Sequence, residues 1–248
     1  MEKVLEFVNV KISLNEKVLF PNINFVINKG DRYMLLGKNG AGKSLLMELI
    51  FLGNSNILKE KYPGLRVEGE ILDAEGRNLL DPAVHRKMSY VTQEEDFHKN
   101  WTFWDAGETA CNALDIDFDK TTKAQFDELL ERFELKSKKN EKIQKNVSCG
   151  EGKTIHLITR ILQLKAANIL LLDEPLNHLS FQNSKVLNDI IEEVVQENPE
   201  LTIIMISHCR AVNFVDKVIR YNYEKQEMET YAYQAYNCFE TDDECFGC

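Results

Sequence analysis

The sequence predicts an α/β core built on a parallel sheet, and three observations carry that prediction. Short apolar runs at Tyr33 to Leu36, Asn168 to Leu172 and Leu201 to Ile206 pass with almost no polar interruption, as strands covered on both faces do. Segments with apolar residues at helical spacing follow the first two of these runs. From about residue 94 to residue 165 the chain turns richer in helix formers, which predicts a helical subdomain inserted into the core.

The elements follow in order. Ile23, Phe25 and Ile27 alternate with Asn22, Asn24 and Asn28, the period of two expected of a half-buried strand, and Lys29-Gly30-Asp31 turns the chain. Tyr33 to Leu36 is a buried strand that ends in a glycine-rich loop. Leu45, Leu46, Leu49 and Ile50 then repeat at helical spacing, so the order is strand, loop, helix. Ala124 to Phe133 reads as a helix of the inserted subdomain. After the buried run at 168–172, Val186, Leu187, Ile190, Ile191, Val194 and Val195 form a helical stripe before the strand at 201–206; strand, helix, strand implies a right-handed crossover. Beyond Arg220 the tail is rich in tyrosine, acid and cysteine without clear periodicity.

At 248 residues the chain can bury a substantial core with no disulfide or metal staple. No apolar run approaches the roughly 18 residues that would span a bilayer, and the first residues carry Glu2 and Glu6 without a long apolar stretch, so neither a spanning segment nor a signal peptide is expected. A cytoplasmic location follows as an expectation. The formal charge of -10 argues against nucleic acid as a partner. The six cysteines are scattered rather than evenly spaced, which suits thiols better than a disulfide framework.

Two motifs carry chemistry. Gly37, Lys38, Asn39, Gly40, Ala41, Gly42, Lys43 and Ser44 fit GxxxxGK[ST] between a buried strand and a helix, where glycines let successive N–H groups curl around phosphates and the helix N-terminus adds partial positive charge. Lys43 is expected at the β- and γ-phosphates of ATP, and the Ser44 hydroxyl in the shell of a magnesium ion. Asp173 and Glu174 stand at the C-terminal end of a buried strand, where open α/β sheets bind ligands. Asp173 suits magnesium binding through water; Glu174 suits orienting and polarising the attacking water.

With these motifs in this order, the sequence up to about Arg220 resembles the ATP-binding cassette (ABC) ATPase family. The resemblance implies a P-loop NTPase core carrying an antiparallel β subdomain and the inserted helical subdomain, with residues 1–220 as the nucleotide-binding domain and 221–248 as a tail. Ser89-Tyr90-Val91-Thr92-Gln93 looks like the Q-loop, which implies that Gln93 approaches magnesium and the attacking water. Val147-Ser148-Cys149-Gly150-Glu151 resembles the LSGGQ signature, implying that Ser148, Gly150 and Glu151 cap the γ-phosphate of ATP held by an opposite subunit. Here Cys149 replaces a glycine and Val147 a leucine; a side chain at 149 is expected to loosen that site or make it thiol-sensitive. Leu176 to Ser180 occupies the place of the D-loop, with Ser180 where an aspartate is usual. Ile206-Ser207-His208 looks like the switch, implying that His208 contacts the γ-phosphate. The aromatic that commonly stacks on adenine falls near Leu14, where none is present. Trp101, Phe103 and Trp104 lie where the family docks onto membrane partners, and packing within the helical subdomain accounts for them equally well. Cys238, Cys245 and Cys248 supply three ligands, one short of a closed structural zinc site.

The resemblance implies a head-to-tail homodimer, or a heterodimer with a related cassette, closed by ATP. Without a spanning segment, a transporter role requires a separate transmembrane permease subunit, with this chain peripheral on the inner face of the membrane. The competing class is a non-transport ABC protein of iron–sulfur assembly or of the ribosome, a branch that Asn177-His178-Leu179 resembles.

Overall fold

The computed structural model describes residues 2–93, 97–98, 100–143, 147–207 and 212–233. They belong to two compact units, the first drawn from 1–86, 200–211 and 215–248 and the second from 87–199 and 212–214.

Among its described residues the first unit has strands of two sheets and two α-helices. Strand β1 (Lys3–Leu14) lies between β2 (Lys17–Asn28) and β4 (Leu65–Asp73), antiparallel to both, which supplies the antiparallel layer implied by the resemblance. Strand β3 (Arg32–Leu36) pairs in parallel with β7 (Thr202–Ile206) on one side and β8 (Lys217–Asn222) on the other, and β9 (Glu227–Ala232) closes that edge antiparallel to β8. All five residues of β7 are buried, as its unbroken apolar run predicts. Helix α1 (Lys43–Leu52) buries Leu45, Leu46, Leu49 and Ile50. Leu46, Met47 and Ile50 share one apolar space with Phe7, Ile23 and Ile27 of the antiparallel sheet and with Leu35, Ile204 and Ile219 of the parallel one. This packing fixes the head of α1 against the end of β3. The short α2 (Asn56–Lys61) is capped by Ser55.

At the turn between β2 and β3 the buried Asp31 carboxylate accepts bonds from the Asn28 backbone N–H (3.0 Å) and the Tyr33 hydroxyl (3.1 Å) and pairs with Lys217. Burial pushes its pKa up, but these donors and the Lys217 charge outweigh it and hold the carboxyl below its usual range.

The second unit pairs β5 (Met88–Val91) in parallel with β6 (Ile169–Asp173), and every residue of both strands is buried. Its described helices are α3 (Phe103–Asn112), α4 (Lys120–Arg132), α5 (Cys149–Leu162) and α6 (Phe181–Glu197). Helix α5 is buried from Gly152 to Thr159, and α3, α4 and β5 pack around it. Ser89 donates to the Gln163 side-chain oxygen (3.0 Å), whose amide donates in turn to the Ala110 carbonyl (2.7 Å), so one buried amide joins the strand to the helical layer. Trp104 meets Phe118 at 5.5 Å and Phe126 at 5.6 Å between ring centres, Lys139 lies over its ring, and Phe103 is fully buried. These contacts give Phe103 and Trp104 the packing role. Helix α6 buries Leu187, Ile190, Ile191 and Val195, the inner part of the stripe read from the sequence.

Candidate functional site

The phosphate loop is built in the first unit. β3 ends at Leu36, α1 begins at Lys43, and Gly40 (φ 72°) and Gly42 (φ 92°) between them adopt left-handed backbone that side chains strain. Gly42 is the N-cap of α1 and, lacking a side chain, offers no cap acceptor to the first turn, the kind of helix head that suits an anion. A Cβ there would also stand 3.1 Å from Leu19 and Phe20 side-chain atoms. Lys43 arches back over the loop, its Nζ donating to the Gly37 carbonyl at 2.7 Å and the Lys38 carbonyl at 3.2 Å. That posture holds an ammonium over the concavity, and Ser44 follows it in the first turn of α1. The loop faces a cavity of about 880 Å³ lined by Gly37 to Ala41, by Lys17 to Leu19, and by Arg220 to Glu224. A glycine cradle at a helix head, the Lys43 ammonium bound to the loop, and an open volume bordered by Lys17, Lys38 and Arg220 fit the phosphates of a nucleotide.

The second unit carries the acidic pair and Gln93. Asp173 is 1% exposed and Glu174 7% exposed, and Glu174 takes φ 48°, an unfavourable backbone for a side chain of its size. The Tyr90 hydroxyl lies 3.4 Å from Asp173 Oδ2. Because Val91 pairs with Leu172 in parallel register, Gln93 and Glu174 leave neighbouring strands at the same end. Gln93 is exposed, but its backbone is held: the buried Lys153 donates to the carbonyls of Thr92 (2.7 Å) and Gln93 (3.2 Å). One turn along α5, His156 Nε2 accepts the Thr92 backbone N–H at 3.2 Å. Burial, and then the positive charges of Arg160 and Lys153, push the His156 imidazole well below its ordinary range, so it stays neutral with Nε2 as acceptor. Sequence reasoning passed over Lys153 and His156; their one signal was a lysine and a histidine three residues apart on a helix that otherwise buries apolar residues.

Ser148 caps α5 in a reciprocal box: its hydroxyl accepts the Glu151 N–H (3.3 Å), and Glu151 accepts the Ser148 N–H (2.8 Å) while also pairing with Lys138 at 2.7 Å. The Lys138 bond, then the Ser148 N–H, hold the Glu151 carboxyl below its usual range. The close backbone approach in this stretch belongs to Gly150, where a Cβ would stand 2.7 Å from the His178 carbonyl oxygen. Cys149 is exposed, so within this unit its side chain is accommodated, and the close approach inside the unit is made at Gly150. His178 itself has φ 66°, and Ser180 caps α6 by accepting the Asn183 N–H (3.1 Å), a task an aspartate performs equally well. Cys111 is buried. His208 and the cysteines at 209, 238, 245 and 248 lie outside the described residues.

Comparison with known proteins agrees with this construction. The family model described as ABC transporter matches residues 20–177, more than half of the chain. The chain belongs to the ABC transporter family, through its ATP-binding cassette. It is 28% identical to the ribosome protection protein VmlR of Bacillus subtilis (strain 168) over 84% of its own length but only 32% of that protein's. It is 26% identical to the ergothioneine transport ATP-binding protein EgtV of Helicobacter pylori (strain G27), again over 84% of this chain and there over 91% of the relative. Among solved structures, an ATP-binding subunit of an ABC transporter superposes with TM-score 0.74 at 18% identity, covering 92% of this chain and 90% of that one, which shows the fold. ATP binding and hydrolysis with magnesium is the general chemistry of the family. Among the described residues no helix is long and apolar enough to cross a membrane.

Proposed function

We propose that this chain is the ATP-hydrolysing subunit of an ABC transporter, peripheral on the cytoplasmic face of a membrane, which powers a separate membrane-spanning partner through ATP-dependent dimerisation. The observation that carries the reading is the loop from Gly37 to Ser44, whose left-handed glycines, uncapped helix head and arched Lys43 form a phosphate cradle. The transport branch is favoured because transport ATP-binding proteins recur among the relatives, for ergothioneine, nucleosides and iron among them.

In this reading the loop N–H groups and Lys43 hold the β- and γ-phosphates. Ser44, Gln93 and Asp173 offer the hard oxygen donors that magnesium takes, and the ion, when bound, offsets charge on the phosphoryl oxygens. Glu174 orients a water and accepts its proton as the water oxygen bonds to the γ-phosphorus and the bond to the β,γ-bridging oxygen breaks, giving ADP and phosphate. By resemblance to the family's switch, His208 is assigned to the γ-phosphate. Ser148, Gly150 and Glu151 of a second subunit, a copy of this chain or a related cassette, cover the same nucleotide. The helical subdomain at about 94–165 then passes the change to the permease.

The test is a pull-down from detergent-solubilised cells with Glu174→Gln, which slows hydrolysis and preserves the ATP-bound state, run beside Lys43→Ala as a nucleotide-free control. ATP-dependent recovery of a multi-span membrane protein is expected. Recovery of ribosomal or soluble scaffold proteins alone overturns the transport reading in favour of a non-transport ABC ATPase.

A further inference from the structure

The cavity in front of the phosphate loop has an aromatic wall that the family pattern does not place there. Position 14, where an adenine-stacking ring is expected, is a leucine. The same cavity is lined by Val18 from the start of β2 and by Tyr223 from the turn after β8, together with Gly37 to Ala41. Both are large apolar side chains left open, Val18 at 45% and Tyr223 at 52% exposure. The Tyr223 ring is also held in place. Its neighbour Tyr221 meets it at 5.0 Å and 75° between ring planes, Tyr221 packs edge-on against Phe20 at 5.5 Å, and the Tyr221 hydroxyl donates to the Asn22 carbonyl at 2.9 Å. The turn carrying Tyr223 is tied by Asn222, whose side-chain oxygen accepts the N–H groups of Glu224 (3.0 Å) and Lys225 (3.1 Å).

We propose that Tyr223 is the stacking platform for the nucleobase of the nucleotide whose phosphates lie in Gly37 to Ser44, with Val18 as a second apolar contact, so that the base-binding surface has moved from β1 to the β8–β9 turn. The proposal rests on the nucleotide-site reading above and extends it. A braced ring loses little freedom on binding, and stacking tolerates any base because every base has a π face. An aromatic platform of this kind is worth about tenfold or more in affinity per base.

The test is calorimetric titration of the full chain with magnesium-ATP and, separately, with magnesium and inorganic tripolyphosphate, which shares the phosphates and lacks the base. Expected is a loss of about tenfold in ATP affinity for Tyr223→Ala, a change within about twofold for Tyr223→Phe, and unchanged tripolyphosphate affinity in both. Unchanged ATP affinity in Tyr223→Ala, or an equal loss for tripolyphosphate, overturns the proposal while leaving the nucleotide site standing. A wild-type chain that binds neither ligand overturns the nucleotide-site reading, and this proposal with it.

Discussion

Lowering the pH from 7.5 to 5.5 is a perturbation whose effect on the second unit can be worked from one side chain. His156 is buried, accepts the Thr92 N–H at Nε2, and faces the Thr92 hydroxyl, the Phe97 ring and the cations Lys153 and Arg160. Burial first, and those two cations next, put its folded pKa well below the ordinary 6.5. In the unfolded chain the imidazole protonates as pH falls through its ordinary range, while the folded one remains neutral. The unfolded state therefore binds more protons, and stability falls with falling pH. One pH unit below the unfolded pKa, keeping this histidine neutral costs on the order of 1 kcal/mol, and at pH 7.5 almost nothing. With a urea slope of about 2.5 kcal/mol per molar, the midpoint should drop by about half a molar from this residue alone. The assay is urea unfolding at both pH values, followed by tryptophan fluorescence from Trp101 and Trp104, for the wild type and for His156→Gln. Glutamine retains an acceptor for Thr92 and does not titrate. The wild type should lose on the order of 1 kcal/mol more than His156→Gln between the two pH values, since other titrating groups are common to both. Equal losses would refute the reasoning.

Three further outcomes are expected. Gly42→Ala places a side chain at φ 92° within 3.1 Å of Leu19 and Phe20; thermal unfolding should show a cost of about 2 kcal/mol or more, and ATP affinity should fall with the distorted loop. Gly150→Ala puts a methyl 2.7 Å from the His178 carbonyl, so the start of α5 must shift; a cost of about 1–3 kcal/mol is expected by denaturant melt, while Cys149→Ala, at an exposed position, should stay within about 0.5 kcal/mol. Lys153→Met withdraws the ammonium from the Thr92 and Gln93 carbonyls, for an expected loss of about 1.5–3 kcal/mol in the same melt and a fall in ATP turnover as the Gln93 backbone loses its tether.

What the sequence disclosed and what it withheld divide along a physical line. β3, the phosphate loop and the head of α1 are contiguous, and each step has a local cause: an apolar run, glycines where the backbone must turn left-handed, then a helical stripe. The pattern therefore states the elements and their order. The run at 169–173 was equally plain because both faces of that strand are buried. Ser148 with Glu151 is a capping box in four residues, also a local device, which the likeness of 147–151 to a signature masks in the sequence. Lys153, His156 and Tyr223 remained hidden because their meaning depends on partners far along the chain. A buried lysine reads as a solvated one until Thr92 and Gln93 lie beneath it, and a tyrosine after Arg220 reads as tail until β8 pairs with β3 and brings the next turn to the phosphate loop. The same logic explains why the absence of an aromatic at position 14 was legible while its replacement was not. A missing residue is a fact about one position, but a substitute contributed by another strand is a fact about sheet order, and only the fold supplies that.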